Sequence, residues 1–451
     1  MKKGIQLICL LFAGTVLSSC DEPNESTSVV QTIAPLVAEE EEFAIWMVTD
    51  PHYLAPELFD DGEAFRRMQA TSAGKDLARM PQIMEALVWE AAKEQPDLLI
   101  VSGDLTFNGE YQSMKEMADF FRQIEENGTQ VSVIPGNHDI HSGWARKFEG
   151  EEMEPVEQVT PDDFKTLFAD YGYDLAVWED PHSLSYVMEP KEGYPFLMID
   201  TNRYPDTKST EAPLAEGAIK EETFAWLDEY YQTKPAITEA YMIGHHPLLN
   251  HSGSEGGRFS LENSEEALAF FTGKGVRTGF AGHIHAQNIS AEDSFHEIVT
   301  GALSIYPNSI GTMRLNEEGL SYERKKLDVS GWAKETNQPD PALLDYLQTT
   351  YDLFKNDGET LALGMMFEEQ WYEEAYETAV TEFVGELNVR YFAGEDFVTD
   401  ENDVQALLEH PGYQIIQENS KTFLKRYTTQ LLEDENLDDR TIFIPNNSAQ
   451  E

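Results

Sequence analysis

The chain has 451 residues, of which 83 are acidic and 31 are basic, and its net charge at pH 7 is −52. A length of this order accommodates one large domain and a smaller one. Because a broad nucleic-acid-binding surface needs a basic patch, the acidic composition argues against long nucleic acids as partners.

The N-terminal residues have the pattern of an export signal. Lys2 and Lys3 precede an apolar run that extends through Val16 and is too short for a membrane span. The Leu-Ser-Ser-Cys sequence at 17–20 resembles a bacterial lipobox, which implies cleavage before Cys20 and a lipid on its sulfur. Residues 1–20 are therefore a predicted lipoprotein signal peptide, and the chain is expected to be exported and lipid-anchored to the outer face of the bacterial membrane. The alternative is an ordinary secretory signal with a chance cysteine.

Residues 21–42 form a polar and acidic stretch, which we interpret as a solvated tether between the lipid and the folded body. The sequence contains two cysteines, Cys9 and Cys20, and Cys9 leaves with the signal. The mature chain therefore lacks the thiols for an internal disulfide or for a zinc site built on cysteine.

Three buried-strand patterns each end in polar residues: residues 43–49 lead into Asp50 and His52, residues 97–101 into Asp104, and residues 131–134 into Gly136-Asn137-His138-Asp139. Apolar spacing predicts helices between them at 77–93 and 111–126. This alternation predicts a parallel sheet with right-handed crossovers, and ligands gather at the carboxyl ends of such strands. Taken alone, Gly-Asn-His-Asp is also typical of a polar turn.

The pattern then recurs twice. Strands are expected at 185–188 and 196–199, with helices at 221–231 and 264–271. A strand at 240–243 ends in His245 and His246, and residues 276–281 lead into His283 and His285. Short strands near 287–290, 297–300, 311–315 and 321–326 predict a second, more antiparallel sheet packed on the first.

Two further segments complete the organisation. Residues 141–181 are interpreted as an irregular, charged insertion over the site, with a short helix at 162–168. Arg146 lies in this insertion and is a candidate to bind a phosphate, the alternative being a surface ion pair. Residues 341–435 show helical spacing of apolar side chains, which predicts a small helical domain. The expected boundaries are 43–328 for the two-sheet domain and 329–451 for the helical C-terminal domain.

The strand-end residues form a set of oxygen and nitrogen donors: Asp50, His52, Asp104, Asn137, His245, His283 and His285. A single metal ion could not use seven protein ligands and keep an open coordination position. The set therefore suits two divalent ions. One carboxylate must then bridge the two ions, and Asp104 is the natural choice.

The order Asp-x-His, Gly-Asp, Gly-Asn-His-Asp, Gly-His-His-Pro and Gly-His-x-His resembles the calcineurin-like metallophosphoesterase superfamily over about residues 43–327. The helical tail and the stretch Gly103-Asp104-Leu105-Thr106, followed by Asn108-Gly109-Glu110, resemble bacterial cyclic-nucleotide phosphodiesterase lipoproteins of this superfamily. The resemblance implies an α/β fold. This fold is a four-layer αββα sandwich of two mixed sheets, followed by a small helical C-terminal domain.

The resemblance also implies two metal sites. Asp50, His52, Asp104 and His285 would hold one ion, and Asp104, Asn137, His245 and His283 would hold the other. Within the pair His245-His246, the family pattern places the ligand two residues before the proline. His246 is then expected either to contact the substrate or to be a packing histidine.

His138 is not counted as a ligand and is expected to give a proton or hydrogen bond to the leaving group, with Asp139 holding it in place. The expected function is hydrolysis of a phosphoric ester with two divalent metal ions, drawn from Mn, Fe, Zn and Co. The favoured substrate is a small diester, such as a cyclic nucleotide, at the cell surface. The alternatives are an ecto-phosphomonoesterase, and a non-catalytic surface lipoprotein with a metal-stabilised binding scaffold.

Overall fold

A computed structural model of the chain describes residues 33–37, 41–234, 237–251, 259–396, 401–432 and 438–446. The predicted signal peptide, Cys20 and most of the predicted tether lie outside these residues. In the described part, every helix is too short or too polar to cross a membrane.

Strands and helices alternate in the first part of the chain, and helices dominate the C-terminal part. The strands are β1 (Phe43–Val48), β2 (Leu98–Ser102), β3 (Gln130–Ile134), β4 (Arg146–Glu149), β5 (Glu152–Pro155), β6 (Ala176–Glu179), β7 (Tyr186–Lys191), β8 (Tyr194–Met198), β9 (Tyr241–Ile243), β10 (Thr278–Ala281), β11 (Asn288–Glu292), β12 (Phe295–Val299), β13 (Ser309–Leu315), β14 (Gly319–Lys326) and β15 (Thr441–Pro445). The helices are α1 (Glu63–Ala70), α2 (Met80–Glu94), α3 (Tyr111–Glu126), α4 (Pro161–Leu167), α5 (Glu221–Thr233), α6 (Ser264–Gly273), α7 (Val329–Glu335), α8 (Pro341–Leu344), α9 (Tyr346–Glu368), α10 (Glu374–Phe392), α11 (Glu401–Leu408), α12 (Pro411–Asn419) and α13 (Phe423–Leu432).

The first sheet has the strand order β15-β14-β13-β1-β2-β3. Strands β1, β2 and β3 are parallel, and β13 pairs antiparallel with β1, with Met47 opposite Gly311. The prediction that the strands near 311–315 and 321–326 belong to the second sheet is wrong. They join the first sheet because β13 pairs with the edge of β1 away from β2, where the backbone of β1 would otherwise lack hydrogen-bond partners. Strand β14 then extends that sheet by pairing with β13.

The second sheet has the order β11-β12-β10-β9-β8-β7-β6. Strands β8, β9, β10 and β12 run parallel, while β6, β7 and β11 are antiparallel to their neighbours. The sheet is therefore mixed, and it contains the two strands that end at His245 and His283. The short strands predicted a more antiparallel sheet, whereas the central strands of this sheet are parallel.

Alternate side chains of β8 face two different cores, as the period of a strand requires. Phe196 packs between the two sheets, where its ring contacts Phe43 of β1 at a centroid distance of 6.4 Å. Leu197 points the other way and packs with Leu227 of α5 and Phe271 of α6. Helices α2 and α3 pack with the first sheet. These layers form the predicted αββα sandwich of two mixed sheets.

Residues 141–181 contain more regular structure than the predicted insertion. The hairpin β4–β5, helix α4 and strand β6 lie within them. Helix α4 begins after Thr160, whose hydroxyl accepts a hydrogen bond from the Asp163 N–H, while the Asp163 carboxylate accepts from the Thr160 N–H. This capping box explains why the short predicted helix starts where it does.

The C-terminal helices form a region with its own core. Val380, Val384 and Leu387 of α10 are buried there, and α9 packs along α10. The segment 329–451, predicted as helical, ends its described part in a strand, β15, which pairs with β14 at the edge of the first sheet. The helical region is therefore attached to the sandwich through a shared sheet as well as through helix packing.

Candidate metal centre

The predicted ligands lie just beyond the carboxyl ends of five strands from both sheets: Asp50 and His52 follow β1, Asp104 follows β2, Asn137 follows β3, His245 follows β9, and His283 and His285 follow β10. Five of them have a left-handed backbone, with φ of 52° at Asp50, 45° at His52, 48° at Asp104, 68° at His283 and 61° at His285. This conformation costs a non-glycine residue about 1–2 kcal/mol. The surrounding fold therefore imposes these side-chain directions.

Asp50, His52, Asp104 and His285 form the first group, whose donor atoms all lie within 4.8 Å of one another. His52 Nε2 is 3.8 Å from Asp50 Oδ1 and 3.6 Å from Asp104 Oδ2. His285 Nε2 is 3.4 Å from Asp50 Oδ1 and 3.1 Å from His52 Nε2. Its side chain is 19% exposed, whereas the other three are buried, so the group reaches solvent at His285.

Asp104, His245 and His283 form the second group, within the same distance of one another. His245 Nε2 lies 3.4 Å from Asp104 Oδ2 and 3.1 Å from Asn137 Oδ1. Asp104 is common to both groups, because its Oδ2 atom faces His52 on one side and His245 on the other. A carboxylate in this position can bridge two cations.

The donor set fits cations better than it fits hydrogen bonds alone. His283 Nε2 is buried and has no hydrogen-bond partner among the described residues. Asp50 Oδ1 is also buried and has no hydrogen-bond partner among the described residues. Buried lone pairs without donors are unfavourable, and divalent ions bound by imidazole and carboxylate would satisfy them. The centre is therefore a candidate two-metal site.

The backbone leaves one oxygen of each aspartate facing the centre. Asp50 Oδ2 accepts hydrogen bonds from the Thr49 hydroxyl at 2.6 Å and from the His283 N–H at 3.0 Å. Asp104 Oδ1 accepts from the His138 N–H at 2.8 Å. In each carboxylate the other oxygen, Oδ1 of Asp50 and Oδ2 of Asp104, remains for a metal ion.

The orientation of His245 is fixed from outside the centre. Its Nδ1 donates to the Ser102 carbonyl oxygen at 2.8 Å, which leaves Nε2 directed at Asp104 and Asn137. Such hydrogen bonds commonly set the tautomer of a metal-binding histidine. Ser102, the last residue of β2 in the first sheet, thus positions the side chain of His245, which follows β9 in the second sheet.

The charges of the centre move several pKa values in opposite directions. Burial lowers the pKa of His245, but the Asp104 charge and hydrogen bond outweigh it and raise that pKa to about 9. Burial and the neighbouring His245 lower the pKa of His283 to about 3. Burial would raise the pKa of Asp104, but His245 and His138 hold it well below its usual range. Asp104 and His245 therefore form an ion pair that metal binding would replace.

His138 lies beside the first group, with its ring edge-to-face against His52 at a centroid distance of 5.0 Å. Its Nδ1 is 3.0 Å from the Phe107 carbonyl oxygen and 2.9 Å from Asn108 Oδ1. With its proton on Nδ1, directed at these acceptors, the ring has Nε2 left for proton exchange. Burial lowers the pKa of His138, against the opposing charge of Asp104.

The Asp139 carboxylate supports a loop backbone. It accepts hydrogen bonds from the N–H groups of Leu105 and Thr106, both at 3.0 Å, and of Gly136 at 2.9 Å. The expected contact with the His138 ring is instead made by Phe107 and Asn108. Asp139 thus holds together the two turns that carry Asp104 and Asn137.

The two candidate substrate-binding residues have different surroundings. His246 is buried, with Nδ1 2.9 Å from the Thr201 hydroxyl and its ring centroid 4.3 Å from that of His283. Arg146 lies on β4, where its guanidinium donates to the Ala145 carbonyl oxygen at 2.9 Å. Contact of either residue with substrate remains a prediction.

Asn108 is a functional candidate that the sequence analysis did not single out. Its side chain accepts from His138, and its backbone N–H donates to the buried Glu110 carboxylate at 3.0 Å. It lies four residues after Asp104, in the stretch that resembles bacterial cyclic-nucleotide phosphodiesterase lipoproteins. Its position in the sequence could therefore have identified it as a candidate. The contact of Thr201 with His246 joins distant segments and has no comparable signal.

Comparisons with known proteins agree with this geometry. The calcineurin-like phosphoesterase family model matches residues 43–287, which is more than half of the chain and includes all seven predicted ligands. The model of the C-terminal domain of cyclic nucleotide phosphodiesterase matches residues 328–438. Both parts of the chain are therefore similar to families of phosphoester hydrolases.

Among curated proteins, the probable glycerophosphodiester phosphodiesterase GpdQ of Arcobacter nitrofigilis is 26% identical over 198 residues, which is 43% of this chain and 58% of that protein. The chain thus spans little more than half the length of this relative. Among solved structures, a dimetal phosphatase from Danio rerio has a TM-score of 0.44 and 14% identity, covering 63% of this chain and 96% of its own. The phosphopantetheinyl hydrolase of Mycobacterium tuberculosis has a TM-score of 0.30 and 14% identity, covering 59% and 91%.

Proposed function

Because the chain belongs to the calcineurin-like phosphoesterase family, we propose that this metal-dependent phosphoester hydrolase is a phosphodiesterase that acts on small diesters such as cyclic nucleotides. The match of residues 328–438 to the C-terminal domain of cyclic nucleotide phosphodiesterase supports the choice of substrate. The similarity to a probable glycerophosphodiester phosphodiesterase supports the preference for a diester.

The observation that carries the proposal is the position of Asp104 between two ligand groups. Two divalent ions, when bound, stabilise phosphoryl oxygens as Lewis acids and lower the pKa of the attacking water. The chain holds both ion positions through side chains from two sheets. In its doubly protonated form, His138 donates a proton or hydrogen bond from Nε2 to the leaving oxygen, while Asn108 and the Phe107 carbonyl keep its ring in place. With two divalent ions bound beside Asp50 and Asp104, the site would be locally positive in a chain with net charge −52.

The test compares bis(p-nitrophenyl) phosphate with p-nitrophenyl phosphate, using protein stripped of metal and then loaded with Mn. We expect metal-dependent hydrolysis with a higher kcat/KM for the diester, followed by turnover of cyclic nucleotides. A higher kcat/KM for the monoester would make the protein a phosphomonoesterase. Two bound Mn ions without hydrolysis of either ester would favour a metal-stabilised binding protein.

We propose further that the enzyme is exported and anchored to the outer face of the bacterial membrane through a lipid on Cys20. The support is the lipobox-like sequence at 17–20, which lies outside the described residues. Labelling with a fatty-acid analogue in a bacterial host should mark the wild type and leave the Cys20→Ala variant unmarked. Equal labelling of both would contradict the anchor.

A further inference from the structure

Lys75 is a buried lysine close to the candidate metal centre. It lies in the loop between α1 and α2, and its residue is 8% exposed. Its ammonium has one hydrogen bond among the described residues, a long one of 3.4 Å to the Ser72 carbonyl oxygen. No carboxylate of the described part lies within 4.0 Å of Nζ. Because an ammonium group has three donors, most of its hydrogen-bonding capacity is unused.

The surroundings place this ammonium on the side of the first ligand group. The charges of Asp50 and Asp104 both act on Lys75. Burial and the Lys75 ammonium lower the pKa of His52, against the opposing charge of Asp104, whose carboxylate is 3.6 Å from that ring. Burial also lowers the pKa of His138, next to His52, and Lys75 adds to this effect, with the charge of Asp104 as the stronger, opposing influence. Together with the hydrogen bonds that connect Asp76 through Ser304 to Asp50, these charges indicate that the ammonium lies near the first ligand group.

The backbone on both sides of Lys75 is held firmly. On the C-terminal side, the Asp76 N–H donates to the Ser304 carbonyl oxygen at 3.3 Å, and the Ser304 hydroxyl donates to the Asp50 carbonyl oxygen at 2.7 Å. On the N-terminal side, Gly74 has φ of 73° and lies so close to Phe354 of α9 that a Cβ atom there would be 2.4 Å from the ring. The loop therefore has little freedom to move Lys75 out of the site.

Helix α9 also supplies the remaining acidic neighbour. Asp357 acts on Lys75 electrostatically and accepts a hydrogen bond from the Gly74 backbone. The groups that face Lys75 are thus Asp50, Asp104, His52 and His138 from the centre, and Asp357 from the helical region. Metal binding would engage both aspartates of the centre, which leaves Asp357 as the acidic group that still acts on the ammonium.

We propose that Lys75 binds a non-bridging oxygen of the phosphoryl group of the substrate. The inference rests on the proposed function, and it extends that function by adding a residue outside the family motifs. A buried cation beside two bound metals is suited to an anion that arrives with the substrate, because charge-assisted hydrogen bonds are strong where water is excluded. Lysine fits this role as a compact point charge with rotatable donors.

The experiment uses the full chain loaded with two equivalents of Mn, with inorganic phosphate as the probe. Calorimetric titration should show that Lys75→Met binds phosphate roughly tenfold to a hundredfold more weakly than the wild type, the loss expected for one charge-assisted contact. Metal analysis should still find two ions per chain. The matched control is Lys191→Met, because Lys191 is also buried but donates to the Glu41 carbonyl oxygen, far along β7. It should leave phosphate affinity unchanged.

A second variant tests the same contact in the opposite direction and does not remove the lysine. Asp357→Asn takes away the competing charge on α9, so phosphate should bind several-fold more tightly. If Lys75→Met fails to fold, this variant decides the matter. Phosphate affinity within twofold of the wild type in the folded Lys75→Met variant, or in Asp357→Asn, would overturn the assignment. Phosphate binding that depends on Lys75, without ester hydrolysis by the wild type, would support Lys75 and reject the proposed function.

Discussion

At the scale of single residues, the ligands use one oxygen or nitrogen of a side chain for a hydrogen bond to the backbone. The other oxygen or nitrogen of that side chain faces the metal centre. Asp104 gives Oδ1 to the His138 backbone and keeps Oδ2 for the two ligand groups. His245 gives Nδ1 to Ser102 and keeps Nε2 for the centre. Side chains that are already held in this way need little reordering when a metal binds, which favours affinity.

His138 should matter for turnover and not for metal binding. The variant His138→Ala should keep two ions per chain and lose about 10²–10⁴-fold in kcat, the usual contribution of a general acid. Metal analysis and steady-state kinetics measure the two quantities separately. Asp104→Asn is the contrast, because loss of the shared carboxylate should reduce the metal content as well. Full activity of Asp104→Asn would contradict the two-metal interpretation.

Metal affinity should increase with pH until His245 is neutral. In the metal-free protein the pKa of His245 is raised to about 9, so below that pH a metal must displace the imidazole proton. One displaced proton makes the apparent affinity about tenfold higher per pH unit, and the slope should vanish above about pH 9. Chelator competition with Mn at several pH values tests this. His410→Gln, at the N-terminus of the distant α12, should retain the slope. A flat profile in the wild type would contradict the prediction.

At the scale of elements, the strand ends were the predictable part of the centre. An apolar run such as 97–101 identifies a strand, and polar residues after several parallel strands must meet at one edge of the sheet. Which strands pair with each other was not predictable in the same way. The pattern of 311–315 indicates a strand, but its pairing with β1 depends on contacts more than two hundred residues apart in sequence. The position of Lys75 near the centre was not predictable, because the Ser-Ala-Gly-Lys sequence is typical of an ordinary loop and only the fold places α9 over it.

The turn after β3 depends on a residue without a side chain. A Cβ atom on Gly136 would lie 2.0 Å from the Asp104 backbone nitrogen and 2.3 Å from its Oδ1, so the two turns would have to separate. Gly136→Ala should therefore weaken Mn binding by at least about tenfold, since a shift of one ligand is felt by both ions. Gly273→Ala is the control, because a Cβ there meets no atom of the described residues within 4 Å. Equal Mn affinity in both variants would show that the turn tolerates the shift.

At the scale of the whole molecule, the helical region is part of the active-site support. Helix α9 contacts the loop of Lys75 through Phe354 and Asp357. Helix α10 contributes the Tyr391 hydroxyl, which donates to the His251 carbonyl oxygen at 2.8 Å, five residues after His246. Helices α9 and α10 therefore contact the loop that contains Lys75 and the segment that follows His246. The helical region thus supports the active site and is more than a spacer.

This support can be measured on one helix. Phe354 is 3% exposed and fills the space beside Gly74, so Phe354→Ala should lower the free energy of unfolding by about 3–5 kcal/mol. It should also weaken phosphate binding, because the Lys75 loop loses its backing. Phe367→Ala, on the same helix but 56% exposed, should have a small effect on both. Denaturant unfolding and calorimetry provide the two readouts. A destabilised Phe354→Ala with unchanged phosphate affinity would separate the helix from the site.

The pairing of β15 with β14 has a consequence for how the chain reaches its native state. Strand β14 is the edge of the first sheet until β15 arrives, and the whole run of helices α7–α13 separates the two in sequence. A contact across so long a loop forms late, after its closure entropy has been overcome. Until then the open backbone of β14 is a template on which other chains can add a strand. During biosynthesis, the helical region thus determines how long the catalytic sheet remains exposed to aggregation.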